Sequence, residues 1–402
     1  MATPAEPLIA LDASVLSLVD ALAARGGRAL LVGGSVRDAL LGSPSHDLDI
    51  EVHGMPSEEL RRELRRFGRV DEVGRAFGVF KLRLGRTVLD VSLPRRDSKV
   101  GIGHRGIHAE ADPHLGVVEA ALRRDLTINA IAWDPRTGEL IDPFDGEGDV
   151  RRRVLRAVDD RTFGEDPLRA LRVAQFAARF EFAVAPDLEA LCGTMALGEL
   201  PAERVRAEVD KLLLRGERPS LGWNFAFRAR LWERVVPEWD RPCPPDLDRL
   251  AALPLEGEPR RLSLLLAAAT PAASVEALLD RLLVFRKDGY DVRAQVLALH
   301  SCKGEAPRFT DLATRARHVA EIAEVELFAA FVEDPSLLAA AEALGVARTP
   351  LLPLLSGRDL LGIGLLPGPA VGQVLSAVRE RQLNGDLSSP EAALAWARGH
   401  IR

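Results

Sequence analysis

Three groups of residues in this sequence have types and spacings that could do chemistry. The first is LLVGGSVRDALLGSPSHDLDIEV, Leu30 to Val52. Its order reads as a strand feeding Gly33 and Gly34, a helix starting near Ser35 with Arg37 in its first turn, and a return strand carrying Asp47 and Asp49. Glycine lets the backbone approach a phosphate closely, and the free N–H groups of a helix N-terminus attract anions, so a triphosphate is the natural guest. Side chains alternate along a strand, so Asp47 and Asp49 share a face and can ligate a shared pair of hard cations. In such a two-metal site one cation activates the attacking hydroxyl and the other carries the triphosphate. Taken alone, the Asp-x-Asp pattern is also that of a solvated strand end; the glycine-helix element upstream turns the reading toward chemistry. A third carboxylate is expected from a neighbouring strand, and TVLDVSLPRR offers Asp90. An acid between apolar residues is costly unless paired or metal-bound. The alternative is an outward-facing strand residue.

The second group is RRDLTINAIAWD, Arg123 to Asp134. Two arginines beside Asp125 and Asn129 can grip phosphate oxygens and hydrogen-bond ribose hydroxyls; a capped helix start at Asp125 explains the same residues. The third is GEDPLRALRVAQFAARF, Gly164 to Phe180, where Asp166, Arg169 and Arg172 recur at helical spacing on one side. Cytosine and adenine both present an amino donor beside a ring-nitrogen acceptor. A carboxylate and an arginine would therefore accept both bases and refuse uracil and guanine, the protein itself serving as template. Leaving a buried donor or acceptor unpaired costs about 1–3 kcal/mol, enough for strong rejection. A salt bridge on a solvated helix is the plainer alternative.

The elements that must position these groups fall into two regimes. Up to about Asp149, short β-type runs bounded by Gly, Pro or polar residues (RALLVGG, DLDIEVHG, GVFKLRLG, TVLDVSL, AIAWD) imply an α/β head. From about Val150 the strand signals fade, and Ala/Leu/Arg segments with helical spacing take over, beginning with DPLRALRVAQFAARF and AERVRAEVDKLLLRG. The Pro-rich stretch near 241–261 is a candidate break between helical units, and TPLLPLLSGRDLLGIGLLPGPAVG introduces the last helices.

Composition bounds the function. With 402 residues, 47% hydrophobic and 28% charged, the chain holds roughly two to four compact units. Aromatic content is 5% with a single Tyr, so stacked aromatic platforms are not the design for holding RNA. The net charge of −6 leaves room only for a local basic groove. Cys192, Cys243 and Cys302 are far apart and imply neither disulfides nor a cysteine zinc site. The N-terminus lacks a basic stretch followed by a long apolar run, and no segment approaches the ~20 apolar residues of a membrane span. A soluble protein of the cytoplasm, with no membrane partner, is expected.

Together, LVGGSVRDALLG…DLDI, RRDLTINA, IDPFDGEGDV, EDPLRALR and PAERVRAEVDKLL resemble, in order and spacing over nearly the whole chain, the class II tRNA nucleotidyltransferases (CCA-adding enzymes) and their relatives the bacterial poly(A) polymerases. The resemblance implies an α+β fold: a polymerase-beta-like nucleotidyltransferase head with a mixed sheet and helices, followed by an all-helical neck, body and tail. The corresponding boundaries are head 1–150, neck 151–220 with base recognition, body 221–330 and a tRNA-binding tail 331–402. It implies template-independent addition of C and A to the 3′ end of tRNA from CTP and ATP, with Mg2+ as cofactor. By similarity Gly33, Gly34, Arg37, Arg124, Asp125 and Asn129 serve the nucleotide, Asp47 and Asp49 the magnesium, and Asp166, Arg169 and Arg172 the incoming base and phosphates. Glu203 and Arg204 match a helix-stabilising motif, which makes them structural.

The chain departs from that pattern twice. Many relatives carry a further arginine one turn beyond Arg172, where this chain has Gln175, which puts that phosphate contact in doubt. It also shows no His-Asp phosphohydrolase signature, so accessory phosphatase activity is not expected. The polar, Gly-rich segment around 95–118 resembles the family's flexible loop; His104, His108 and His114 within it make a weak zinc pattern. Sister activities remain open: CC-only addition, A-only addition and poly(A) synthesis, the last disfavoured by the acidic charge balance. An RNA-binding protein without catalysis is the alternative of a different class.

Overall fold

The computed structural model describes residues 7–43, 47–72, 78–99, 107–305, 309 and 311–400. The chain divides into two compact units, Met1–Pro242 and Cys243–Arg402. The division falls inside the stretch expected as the body (221–330), at the start of the Pro-rich segment.

The first unit opens with α1 (Ala13–Ala23), β1 (Arg28–Val32), α2 (Gly34–Leu40), β2 (Leu48–His53), α3 (Ser57–Phe67), β3 (Arg69–Glu72), β4 (Val79–Leu84) and β5 (Thr87–Ser92). Then come β6 (Arg95–Lys99), β7 (Ile107–Ala111), α4 (Val117–Ala121), β8 (Ala132–Trp133) and β9 (Leu140–Ile141). Seven strands form one sheet in the order β3-β4-β5-β2-β1-β8-β9. It is mixed: β2 and β5 run parallel, and the other neighbours antiparallel. The parallel pair needs a crossover, which α3 and the β3–β4 hairpin supply.

One face of the sheet is the core. Ile50 and Val52 of β2, Leu31 of β1, Leu82 of β4, and Leu89 and Val91 of β5 pack there with Leu18 and Leu22 of α1 and Leu60 and Leu64 of α3. The two-residue period sends the intervening side chains, Asp49, Glu51 and His53 of β2 and Asp90 of β5, to the other face. The fold thus places every acid of the DLDIEVH strand opposite the core.

The strands read from RALLVGG, DLDIEVHG, GVFKLRLG, TVLDVSL and AIAWD are β1, β2, β4, β5 and β8. The segment read as a loop around 95–118 instead contains the antiparallel pair β6–β7. Residues 100–106, with His104, and the side chain of His108 lie outside the described residues. RRDSK is polar throughout, and IHAEA alternates apolar and polar over only five residues, two of its three apolar positions being alanine, so the period that reveals a half-buried strand was weak in one strand and absent in the other.

Past Asp149 the unit is helical apart from one two-residue strand pairing between Val154–Leu155 and Ala183–Val184. The elements used below are α5 (Gly146–Arg152), α6 (Asp160–Phe163), α7 (Leu168–Phe180), α8 (Pro186–Thr194) and α9 (Ala202–Arg215). A helix over Pro219–Arg228 follows. It lies so close to α7 that a Cβ on Gly222 would stand 2.2 Å from the Ala174 carbonyl oxygen. Trp223, Trp232 and Trp239 cluster beyond it, fully buried, with ring centroids 4.8–5.5 Å apart. The second unit is built of helices with one two-residue strand pair. Among the described residues no single helix is long and apolar enough to cross a membrane; one bent pair, Glu258–Ala269 with Ala272–Arg281, meets the length and composition, and its first helix is mostly buried in this unit.

Truncating Trp232 to alanine empties the centre of the tryptophan cluster and is expected to destabilise the first unit by about 3–5 kcal/mol. Urea unfolding followed by far-ultraviolet circular dichroism measures it, and an unshifted midpoint would contradict the packing described.

Candidate active site

Most of the residues singled out in the sequence line a cavity of about 470 Å³ in the first unit; Asp47 and Asp90 are not among its lining residues. Its wall includes Gly33, Gly34, Arg37, Asp49, Arg124, Asp125, Asn129, Asp166, Arg169 and Arg172, all of them expected site residues. It also includes Arg95, Arg123, Gln175, Arg179, Arg204, Lys211 and Arg215. Ten lining side chains are Arg or Lys against three Asp, so a chain of net charge −6 concentrates positive charge here. Such a recess attracts polyanions.

Gly33 explains the turn between β1 and α2. Its φ is 71°, a conformation L side chains rarely adopt, and a Cβ there would stand 2.8 Å from Arg124 Nη1. The glycine therefore makes room for an arginine. Arg37, one turn into α2, is 4% exposed: Nη1 donates to Asn129 Oδ1 at 2.5 Å, Nε and Nη2 to Asp38 Oδ1 at 2.8 and 2.6 Å. Its guanidinium lies 4.6 Å from the Phe180 ring centroid. Burial pulls the Arg37 pKa down, and Asp38 works against that loss.

RRDLTIN leads into a single 3-10 turn, Thr127–Asn129, with Leu126 rather than Asp125 at its N-cap. Leu126 N–H and Asn129 Nδ2 donate to Asp125 Oδ1 at 2.8 and 2.9 Å, and Arg172 Nε donates to Asp125 Oδ2 at 2.7 Å. Burial would raise the Asp125 pKa; the charge of Arg172 and these hydrogen bonds bring it below the usual value. Asn129, expected to meet a ribose, uses both ends of its amide on Arg37 and Asp125. Arg124 Nη1 donates to the Asn129 carbonyl at 3.3 Å.

The acids sit at one side of the cavity. Asp49 and Asp90 are register partners on the parallel strands β2 and β5. Asp49 opens on the cavity, Asp47 lies exposed immediately before β2, and Asp90 has Lys81 Nζ at 3.5 Å. Burial beside the cavity wall and the charges of Asp90 and Asp47 raise the Asp49 pKa, partly offset by Arg124. Among the described residues no three of His, Cys, Asp or Glu gather tightly enough to hold a metal by themselves. His114 is held locally, its N–H donating to Asp112 Oδ1 at 3.0 Å.

Arg169 and Arg172 project from the first turns of α7, while Asp166 lies two residues before the helix rather than on it. Arg169 Nη1 donates to the Thr162 carbonyl at 2.7 Å and Nη2 to the Arg123 carbonyl. Asp166 Oδ1 accepts from Leu168 N–H at 3.1 Å, while Oδ2 accepts from Arg204 Nη2 at 2.9 Å. Arg204, read as purely structural, is thus a wall residue paired with the expected base-reading acid; Glu203 beside it is exposed. Gln175 is 3% exposed on the wall where many relatives have arginine.

Glu51 escaped the sequence reading. Two residues beyond Asp49 and 3% exposed, it accepts from Arg123 Nη2 at 3.0 Å, with Arg124 Nη2 at 3.8 Å and His53 Nε2 at 3.2 Å. Burial alone would raise its pKa, but His53, Arg124 and Arg123 bring it down to about 2. The signal was available: Glu51 has the strand phase of Asp47 and Asp49.

Comparison with known proteins agrees with this geometry. Residues 29–156 match the poly A polymerase head domain. The chain is 41% identical over 251 residues to the CCA-adding enzyme of Bordetella pertussis, a match spanning 60% of this chain and 66% of that protein, a little under two thirds of its length. It is 42% identical over 228 residues to the multifunctional CCA protein of Aromatoleum aromaticum, spanning 54% and 53% of the two chains. The crystal structure of the Bacillus stearothermophilus CCA-adding enzyme in complex with CTP superposes with a TM-score of 0.71 at 26% identity, over 97% of this chain and 98% of that one. The first unit thus carries a poly A polymerase head domain, and the chain is similar to CCA-adding enzymes in sequence over 60% of its length and in fold over 97%.

Proposed function

We propose that this chain is a tRNA nucleotidyltransferase that builds or repairs the CCA end, adding C and A from CTP and ATP with release of diphosphate. The observation that carries the reading is a single cavity in which a cationic wall meets Asp49 at one side and the Asp166–Arg204 pair at the other. In this reading residues 1–150 are the catalytic head, 151–220 the base-recognising neck, 221–330 the body and 331–402 the tail that holds tRNA. The cytoplasm is its place of action.

Mg2+ fits the acids. Magnesium keeps several waters and is held by one or two carboxylates plus substrate phosphates, so the Asp49–Asp90 pair, with Asp47 beside it, needs no third protein ligand. Burial first and the charge of Asp90 second raise the Asp49 pKa, and a dication held there would relieve that repulsion. Bound there, Mg2+ would activate the RNA 3′-hydroxyl and neutralise the leaving diphosphate. The rest falls to the chain. Arg124, in the space left by Gly33, meets triphosphate oxygens, and Arg37 holds Asn129 and the turn in place. Arg172 keeps its terminal nitrogens for the nucleotide while Nε stays on Asp125. Asp166 retains acceptor capacity beyond Leu168 and Arg204, enough to take the amino group of cytosine or adenine. Arg169, fixed on two carbonyls, is its companion for the ring nitrogen.

The direct test offers tRNAs lacking CCA, CA or A to the protein with Mg2+ and CTP or ATP, followed by sequencing of the 3′ ends. Completion of CCA on all three is expected. Products ending in CC identify a CC-adding enzyme, long A tracts a poly(A) polymerase, and no incorporation on any RNA overturns the enzymatic reading.

Asp166→Ala is expected to reduce the preference for CTP and ATP over UTP and GTP by roughly 10-fold or more, with a smaller change in triphosphate affinity. An unchanged preference would remove Asp166 from base selection.

Asp49→Asn separates stability from activity. A raised folded-state pKa means that Asp49 stabilises the fold below its unfolded pKa, a contribution lost as pH rises through the raised value. At pH 7 without metal, the variant is therefore expected to melt above the wild type, the gap narrowing as pH falls toward the carboxylate range. Transfer is expected to drop on the order of 10³-fold, and added Mg2+ to raise the wild-type melting temperature alone. Thermal denaturation with and without Mg2+ checks this; equal midpoints and equal Mg2+ response would move the cation elsewhere.

A further inference from the structure

Glu51 is a buried acid that neither the metal nor the base-reading role uses. It shares its strand face with Asp49, one alternation further in, and faces two arginines about seventy residues away in the sequence that both line the cavity. We propose that Glu51 is a positioning residue: it holds the guanidinium groups of Arg123 and Arg124 in the attitude in which they meet the nucleotide's phosphates.

Three contacts fix that attitude. Glu51 Oε2 takes Arg123 at 3.0 Å and lies 3.8 Å from Arg124 Nη2. Arg124 Nη1 is held from the opposite side by the Asn129 carbonyl at 3.3 Å, in the space Gly33 leaves for it. Glu51 itself cannot swing, because His53 bridges its Oε1 at 3.2 Å to the Leu115 carbonyl at 3.0 Å. A neutral residue would not serve. Two adjacent cations repel each other and are desolvated here, and without Glu51 the next acid on that face is Asp49. Arg124 already acts on the charge of Asp49; drawn onto it, the arginine would compete with the dication. Glu51 therefore keeps phosphate grip and metal site apart on one strand.

This inference rests on the nucleotide-site reading above, and its test separates the two. CTP binding in Mg2+ is measured by calorimetry, and CTP and tRNA dependence by steady-state transfer, for wild type, Glu51→Gln and Glu51→Asp, with melting temperatures recorded. Glu51→Gln is expected to raise Kd and KM for CTP by about 10-fold or more while KM for tRNA stays unchanged. Glu51→Asp, which keeps the charge with shorter reach, should fall between and stands in if the glutamine variant does not fold. Combined with Arg123→Ala and Arg124→Ala together, Glu51→Gln should add little, because it acts through those two side chains. A lowered melting temperature with CTP affinity unchanged, or full additivity with the combined Arg123→Ala and Arg124→Ala changes, overturns the positioning role. Failure of the wild type to bind CTP overturns the nucleotide-site reading and this inference with it.

Discussion

The constraint from which the rest of this site follows is the crowding of like charge. An anion-binding recess must collect guanidinium groups before any anion arrives, and desolvating unpaired charges costs several kcal/mol each. The fold answers by placing carboxylates behind the arginines: Asp38 behind Arg37, Glu51 behind Arg123 and Arg124, Asp125 behind Arg172. All three acids are buried. Each arginine is therefore oriented by the protein from behind, and reorganisation on ligand binding is small, which is the condition for electrostatic preorganisation. Removing one of these acids differs from removing a surface salt bridge, because the cation it leaves is already out of water.

The sheet carries the opposite problem. Register between the parallel strands β2 and β5 sets Asp49 beside Asp90, whose carboxylate has Lys81 Nζ of β4 at 3.5 Å. The core face of those strands, Ile50, Val52, Leu89 and Val91, fixes the register, since a slip of one residue would send the acids into the core and the aliphatic side chains into the cavity. Hydrophobic packing on one side of the sheet thus enforces electrostatic strain on the other. That strain is the local gap a dication fills, and the same arrangement would be a liability in a protein without one.

Much of this was legible in the sequence because it is local. Gly33-Gly34, the Asp47/Asp49 alternation, the Arg-Arg-Asp turn and the Asp166/Arg169/Arg172 helical spacing each span fewer residues than one or two elements need. Asp90 was legible as an acid in an apolar strand, but its pairing with Asp49 depends on a crossover past two intervening strands. Glu51 has the right strand phase, yet its burial comes from arginines far along the chain. Arg204, Glu208, Lys211 and Arg215 form one stripe of α9. That stripe becomes part of the site only because the α9 helix packs on α7, a tertiary fact that no motif announces. The β6–β7 pair was missed because β6 is polar throughout and β7 alternates over only five residues with alanine at two of its apolar positions.

Base choice and chemistry are tied together by very few side chains. Arg169 donates to Thr162 in α6 and to the Arg123 carbonyl beside the phosphate-binding turn, and Arg172 reaches Asp125 in that turn. The helix that would read the base is thus hydrogen-bonded to the residues that would hold the triphosphate, so the distance from base edge to phosphate grip is set by α7 itself. Asp166, just before α7, is held differently, by the N–H of Leu168 at the start of that helix and by Arg204 from α9. It is the acid of the cavity whose charge partner comes from a second helix, while Arg169 is committed to carbonyls. A template that must accept two bases of different size needs one fixed member and one that can re-pair. In the proposed reading the Arg169–Asp166 couple would divide the labour in that way, with the arginine as the fixed half.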